Sequence, residues 1–161
     1  EAGEILVRGY NVMQGYFNNG QKNEAATEEA IDKEGWLHTG DVGVLNEQGY
    51  LTITDRLKDM FINGGFNCYP AEIENIINTH PAVVNASVIG IPDERLGEVA
   101  MAFIQSKPNS SLTDKELITW CREKMANYKV PRQIAFIDSF PLNASGKILK
   151  TELKEKANAG S

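Results

Sequence analysis

The sequence has few cysteines, no long apolar run and no cluster of basic residues. Its two cysteines, Cys68 and Cys121, are too few for a disulfide framework, so we interpret each as a small buried side chain in a reducing compartment. No apolar run approaches the about 18 residues of a membrane span, which excludes a transmembrane helix. A net charge of -6 with interleaved acids and bases argues against a nucleic-acid surface, which needs clustered Lys and Arg.

What is present is the composition of an ordinary soluble globular protein. The chain has 161 residues, of which 42% are hydrophobic and 24% are charged. This length suits one compact domain, or a small domain with part of another. The chain opens on Glu1 without an initiating Met, as if it entered a strand in the middle of a domain. We therefore expect a fragment, with any targeting signal upstream.

The first third of the sequence predicts mainly strands and loops. Ile5–Arg8 is typical of a strand, and a short helix is expected over Asn23–Ala30. A hairpin with alternating faces is predicted from Val42–Leu45, the turn Asn46–Gly49 and Tyr50–Thr54. Because no helix-rich core is visible here, this part looks β-rich.

After Asp55 the pattern becomes mixed. Helices are predicted from Pro70 to His80, from the cap Thr113 to about Met125, and over Ile148–Lys156. Strands are predicted over residues 83–91, 98–106 and 134–137. Together these elements predict an α+β fold class, a small domain with a short antiparallel sheet flanked by helices.

Four segments contain charged residues or glycines in patterns that could carry chemistry. In order they are Thr39-Gly40-Asp41, Asp55-Arg56-Leu57-Lys58, Gly64–Glu74 and Pro141–Lys147, the last with the pattern P-x-x-x-x-G-K. A carboxylate such as that of Asp41 has two acceptor oxygens that suit the vicinal hydroxyls of a ribose. Taken alone, Asp41 is equally a solvated turn residue, Arg56 and Lys58 a solvated pair, and Lys147 a surface lysine.

The glycine pair Gly64-Gly65 also has two interpretations. Its backbone can take positive φ and let a ligand approach the main chain, or it can simply close a tight hairpin before a Pro-capped helix. Glu72 and Glu74, in the first turns of that helix, are expected to stabilise its N-terminal dipole. The two histidines, His38 and His80, have no neighbours that indicate a metal site or a catalytic triad.

In this order and spacing, the four motifs resemble the C-terminal part of an adenylate-forming enzyme of the acyl-CoA synthetase branch. The resemblance extends over essentially the whole chain. It implies that residues 1–55 are the end of a large N-terminal adenylation domain and that residues 56–161 are the small C-terminal domain. The predicted fold is therefore this α+β domain, preceded by a β-rich remnant of the N-terminal domain.

The resemblance also implies a role for each motif. Asp41 would hold the ribose of the nucleotide, Arg56 would contact the nucleotide, and Lys58 would be the hinge about which the C-terminal domain turns. Gly64, Gly65 and Phe66 would line the tunnel for the pantetheine arm of coenzyme A. Lys147 would be the catalytic residue of adenylation, with its ammonium near the α-phosphate and the carboxylate.

The function implied is that of an ATP-dependent acid–thiol ligase. The complete enzyme would activate a carboxylic acid, expected to be a fatty acid, as an acyl adenylate and transfer it to coenzyme A. Its substrates would be the acid, MgATP and coenzyme A, with no Mg²⁺ ligand in this chain. Its partner would be the missing N-terminal domain, without nucleic acid or a transmembrane segment, in the cytoplasm.

Three alternatives remain open from the sequence. The chain could be the tail of a peptide-synthetase adenylation domain, although no carrier-protein segment follows Lys147. Luciferase-like oxidative chemistry would use the same kind of C-terminal domain. The stretch could also work alone as a coenzyme A-binding or regulatory module. In the favoured interpretation the isolated chain is catalytically inactive, because the phosphate loop and acyl pocket lie upstream of Glu1.

Overall fold

The computed structural model describes residues 2–159 and divides into two compact units, the first ending at Lys58 and the second beginning at Asp59. The domain ranges predicted from the sequence, 1–55 and 56–161, remain a prediction about the complete enzyme. Glu1, Gly160 and Ser161, which those ranges include, lie outside the described residues.

The first unit contains a three-stranded antiparallel sheet in the order β1-β4-β5. Its strands are β1 (Ala2–Val7), β4 (Leu37–Leu45) and β5 (Leu51–Arg56). The two-stranded hairpin β2 (Tyr16–Asn18) and β3 (Gln21–Asn23), which the sequence did not predict, leads into helix α1 (Glu24–Ala30). Asn23 caps that helix by accepting from Ala26 N over 3.1 Å.

The predicted hairpin of the first unit is confirmed as strands β4 and β5. The Asn46 side chain accepts from the backbone N–H groups of Gln48 and Tyr50, which is why this asparagine closes the turn. Among the described residues of this unit, Val42 is the only buried hydrophobic side chain, with 1% of its surface exposed. Leu45 and Ile53 are each 63% exposed, so this sheet supports the site residues with little core of its own.

The second unit contains a five-stranded sheet with helices on both faces. It is built from β6 (Phe61–Asn63), β7 (Phe66–Cys68), α2 (Pro70–Ile77), β8 (Val83–Asp93), β9 (Gly97–Ser106), α3 (Asp114–Lys124), β10 (Gln133–Phe136) and α4 (Lys150–Ala159). The strand order is β10-β9-β6-β7, with β8 paired to β9. This confirms the predicted α+β class. The sheet is antiparallel except where β10 runs parallel to β9.

Two hydrophobic clusters lie against this sheet. Ile73 and Ile77 of α2 and Leu117 and Cys121 of α3 pack in the larger cluster, whereas Leu153 of α4 packs with β8 and β9 in the smaller one. Consecutive strand residues point to opposite faces, and the neighbours Val88 and Ile89 accordingly belong to different clusters. Each face of the sheet therefore has its own helical cover.

Local sequence signals account for several element boundaries. Thr113 and Glu116 form the predicted capping box at the start of α3, with Thr113 Oγ1 accepting from Glu116 N and Glu116 Oε2 accepting from Thr113 N. Pro70 stands at the start of α2, where its missing N–H costs nothing. Gly90 is needed for packing, because a Cβ there would lie 2.5 Å from Phe61 Cβ.

Both cysteines are buried and free, as predicted. Burial raises the pKa of the Cys68 thiol and raises that of Cys121 to about 11. Neither thiol is therefore a reactive thiolate near neutral pH. No helix among residues 2–159 is both long and apolar enough to cross a membrane.

Candidate functional site

The T-G-D motif lies within strand β4, and its central Gly40 has a φ of +70°. Thr39 Oγ1 donates to Ile5 O over 2.8 Å and accepts from Asp41 N over 3.1 Å. The threonine thus links β1 to the backbone of Asp41. Glycine is required at the central position because other residues rarely adopt this left-handed conformation.

Asp41 and Arg56, the two predicted nucleotide ligands, are brought together by the pairing of β4 with β5. They stand opposite each other in the register, and Arg56 Nε donates to Asp41 Oδ1 over 3.0 Å. The Asp41 side chain is 27% exposed and the Arg56 side chain 54%, so solvent reaches both. The contact engages Oδ1 and holds the carboxylate in one orientation, as a pre-positioned ligand requires.

An open cleft adjoins this pair. Its lining consists of Thr39, Gly40, Arg56, Leu57 and Lys58, all from the first unit. The predicted hinge residue Lys58 lies in a single 3-10 turn, Leu57–Asp59, and its side chain is exposed. A side chain in water does not hinder a change in its own backbone dihedrals, which is compatible with a hinge.

Glu4 is a residue that the sequence analysis missed. Its Oε1 accepts from Gly40 N over 3.1 Å and its Oε2 lies 2.9 Å from His38 Nδ1. Glu4 therefore supports the part of β4 that leads into Asp41. The Gly3-Glu4 dipeptide gave no local signal for this role, because the contact depends on the pairing of β1 with β4.

His38 lies between two carboxylates, Glu4 and Asp32, the latter at 3.8 Å from Nε2. The hydrogen bond to Glu4 raises the pKa of His38 above its usual value. Asp32 accepts from Trp36 N and Glu34 N, and these bonds, that from Trp36 foremost, lower its pKa. No group of three or more His, Cys, Asp or Glu side chains suited to a metal ion occurs within residues 2–159.

Gly64 and Gly65 form the two-residue turn between β6 and β7. Their φ angles are +57° and +87°, the combination of a type I′ hairpin turn, in which both central residues are left-handed. A Cβ on Gly65 would meet nothing within 4 Å. The backbone conformation therefore requires these glycines, and the main chain at Gly65 stays open to a ligand.

Phe66, which follows the turn, is 56% exposed and stacks on Tyr128 with ring centroids 4.5 Å apart. Two buried side chains hold the backbone of Tyr128: Asn63 Nδ2 donates to Tyr128 O over 2.7 Å, and Cys68 Sγ donates to the same oxygen over 3.6 Å. Tyr128 thus supports the glycine turn from a distant part of the sequence. The sequence analysis did not single it out.

Lys147 lies exposed in the loop between β10 and α4, and Asn143 organises that loop. Asn143 Oδ1 accepts from Ser145 N, Ser145 Oγ and Lys147 N at 3.0, 2.8 and 2.9 Å. Its backbone also bonds Gly146 N and Lys147 O. Sequence reasoning gave Asn143 no role, but its side chain shapes the backbone that carries the lysine.

The structure thus brings Asp41 and Arg56 into direct contact and joins Gly64, Gly65 and Phe66 in one hairpin. Lys147 lies in a separate loop of the second unit. Glu72 lies in the first turn of α2, as the expected dipole role requires, and both Glu72 and Glu74 also have a specific cationic partner. Glu72 pairs with Lys129, and Glu74 pairs with Lys150 and bonds the backbone of β8.

Comparison with known proteins finds a matching family model and similar proteins. Residues 72–147 match the family described as AMP-binding enzyme C-terminal domain, and the matched range ends at Lys147. Two curated relatives are a 3-[(3aS,4S,7aS)-7a-methyl-1,5-dioxo-octahydro-1H-inden-4-yl]propanoyl:CoA ligase of Rhodococcus jostii, 51% identical over 97% of this chain, and a mitochondrial medium-chain acyl-CoA ligase of Pongo abelii, 46% identical over 96%. The chain spans 30% and 24% of their lengths.

A solved structure with the same fold is the o-succinylbenzoate CoA synthetase of Bacillus subtilis in complex with its acyl-adenylate intermediate. It superposes with a TM-score of 0.84 and 42% sequence identity, over 96% of this chain and 30% of that chain. These comparisons do not favour the peptide-synthetase or stand-alone alternatives.

Proposed function

The chain belongs to the adenylate-forming acyl-CoA synthetases, of which it corresponds to the C-terminal portion, and we propose that the complete enzyme makes an acyl-CoA in two steps. The carboxylate oxygen of the acid attacks the α-phosphorus of ATP and releases pyrophosphate. The thiol of coenzyme A then attacks the acyl carbon, and AMP leaves with the electron pair of the broken bond. Activation through a mixed anhydride splits one difficult acylation into two easier steps.

Asp41 and Arg56 bind the nucleotide in this proposal. The Asp41 carboxylate accepts hydrogen bonds from the ribose hydroxyls, while Arg56 holds its Oδ1 and offers its remaining N–H groups to the nucleotide. The open cleft beside the pair supports this assignment, because it leaves Arg56 accessible.

Lys147 stabilises the negative charge that develops during adenylation. Its ammonium lies on an exposed loop whose backbone is already ordered by Asn143. The ordered backbone limits the entropy that the loop loses on entering a closed site, and in a water-poor cleft the ammonium stabilises charge far more than it does in water. The family match reaches this lysine, which supports the catalytic assignment.

Lys58 and the glycine turn serve the second step. Rotation about Lys58 exchanges the Lys147 loop for the Gly64-Gly65 turn at the reacting centre. The open main chain of the turn and the exposed ring of Phe66 then contact the pantetheine arm. The exposure of Lys58 supports this role, since its side chain is not held by a core when the backbone dihedrals change.

The substrates are a carboxylic acid, ATP with Mg²⁺, and coenzyme A. Relatives named for a medium-chain acyl and for an o-succinylbenzoate substrate support a fatty or aryl acid. The Mg²⁺ would enter the site bound to the phosphates of ATP. The partner of the chain is the N-terminal domain of the same protein, and the proposed location is the cytoplasm.

The exposed Lys147 on its ordered loop, at the end of the matched range, is the observation that carries this proposal. The test is carboxylate-dependent pyrophosphate exchange and CoA thioester formation by the complete enzyme, with a panel of fatty and aryl acids. We expect both activities in the complete enzyme and neither in the isolated chain. Pyrophosphate exchange by the isolated chain would refute the division of labour proposed here.

A further inference from the structure

Glu74 connects three elements of the second unit. From helix α2, its Oε1 accepts from Val88 N of β8 over 2.7 Å and from Ser87 Oγ over 3.4 Å. The same oxygen lies 2.8 Å from Nζ of Lys150, the first residue of α4. The Glu74 and Lys150 side chains are only 18% and 21% exposed, so this ion pair is screened less than one at the surface.

Lys150 stands at the base of the loop that carries Lys147. That loop is closed on itself, because Leu149 N donates to Pro141 O and Asn143 N donates to Lys147 O, each over 2.9 Å. Leu142 and Ile148 form a further bridge between its two arms. A loop bonded in this way moves largely as one body, so its position depends on where its base is attached.

Because of this ion pair, Lys147 and Lys150 differ in whether their charge is neutralised. Lys147 and Lys150 are the only cationic residues between Pro141 and Lys150. Lys150 is neutralised by Glu74, whereas no ion pair of Lys147 occurs among the described residues. One free ammonium therefore remains on the loop, where a developing negative charge can use it.

We propose that Glu74 and Lys150 are positioning residues for adenylation, in that their ion pair fixes the base of the loop that presents Lys147. This rests on the proposed function. The pair acts through Lys147 and touches no substrate. Removing it leaves α4 anchored by the buried Leu153, while the start of the helix and the attached loop gain freedom. The fold should persist and the placement of Lys147 should suffer.

The test uses the complete enzyme with Lys150→Met, Glu74→Gln and the double variant. Each single change is expected to lower kcat of pyrophosphate exchange about tenfold, since a small misplacement of a catalytic group is costly. The rate of thioester formation from a supplied acyl adenylate should stay within about twofold, because that step does not use Lys147. The double variant should lose no more than either single one, as for two residues acting through one contact.

Three further variants sharpen the result. Lys150→Arg keeps the charge and should restore most of the exchange rate, whereas Lys154→Met removes an exposed lysine one turn along α4 and should change neither step. Equal losses in both half-reactions, or independent losses at Glu74 and Lys150, would overturn the proposal. Should Glu74→Gln fail to fold, Lys150→Met and Lys150→Arg carry the same test.

Lys147→Ala separates this inference from the function on which it rests. If Lys147→Ala abolishes exchange while Lys150→Met leaves it unchanged, the positioning role alone is wrong. If Lys147→Ala itself leaves exchange unchanged, the catalytic assignment of Lys147 is wrong and the positioning role fails with it.

Discussion

Arg56 and Asp41 stand opposite each other on antiparallel strands, and the guanidinium Nε donates to Oδ1 of the carboxylate over 3.0 Å. Both side chains are partly exposed. In a purely structural ion pair this exposure would make the contribution to stability small, because water screens the charges. Accessibility is instead what a ligand-binding pair needs, and the pair is therefore best tested through nucleotide binding.

Asp41→Asn in the complete enzyme is expected to raise KM for ATP in pyrophosphate exchange. The substitution removes the charge that accepts from the ribose and from Arg56, and a hydrogen bond to a charged group contributes about 1.5–3 kcal/mol. Glu47→Gln, which removes an exposed acid in the β4–β5 turn, is the matched control and should have no effect. An unchanged KM for ATP in Asp41→Asn would rule out the assigned role.

Lys147→Ala should slow adenylation. The activation free energy of that step should rise by about 2.7–4 kcal/mol, as for the loss of other single electrostatic donors. Thioester formation from a supplied acyl adenylate should be nearly unaffected, because only the first step needs the charge. Pyrophosphate exchange and single-turnover thioester assays measure the two steps separately. An equal loss of rate in adenylation and in thioester formation would contradict the catalytic role of Lys147.

Lys58→Pro should leave adenylation intact and slow thioester formation. Proline holds φ near about −65° and so hampers the dihedral change that a hinge needs. Lys58→Ala removes the side chain but keeps the backbone free, and should support both steps. The hinge hypothesis fails if the two variants behave alike.

Gly65→Ala should destabilise the second unit by about 1–2 kcal/mol, because an L-residue is strained at the observed φ of +87°. Gly65→Asn should cost less, since asparagine tolerates this conformation. Urea unfolding of the chain measures both. Because a Cβ on Gly65 would have open space, similar losses for Ala and Asn would contradict the account that backbone strain requires glycine.

His38 should make the stability of the first unit depend on pH. Its pKa is raised in the folded state, chiefly by Glu4, so the protonated form is favoured by folding. The stabilisation is fully present below the unfolded pKa of about 6.5 and is lost as the pH rises through the folded pKa. Urea unfolding of the chain and of His38→Gln, from about pH 5 to pH 9, should show a stability difference that shrinks with rising pH. A difference independent of pH would contradict this account.

The elements that the sequence predicted best are those specified by neighbouring residues. The Thr113–Glu116 capping box, the first-turn Pro70 and the Asn46–Gly49 turn each act within a few positions, and each is present in the structure. The short strands Tyr16–Asn18 and Gln21–Asn23 were not predicted, and Phe61–Asn63 and Phe66–Cys68 were foreseen only as one interpretation of Gly64-Gly65, a tight hairpin. Three residues are too few for a clear alternating pattern, so pairing with other strands defines them.

The candidate site follows the same division. The sequence by itself determined which residues are available: a T-G-D carboxylate, a Gly-Gly pair and a lysine behind a loop glycine. Tertiary structure decided what holds them. Glu4 bonds Gly40 because β1 pairs with β4, Tyr128 stacks on Phe66, and Glu74 bonds Val88 and Lys150. The sequence around a carboxylate does not show which residue it will contact, because that residue depends on which elements pack together. For that reason Glu74 looked like a helix-dipole residue in the sequence and proved to connect α2, β8 and α4.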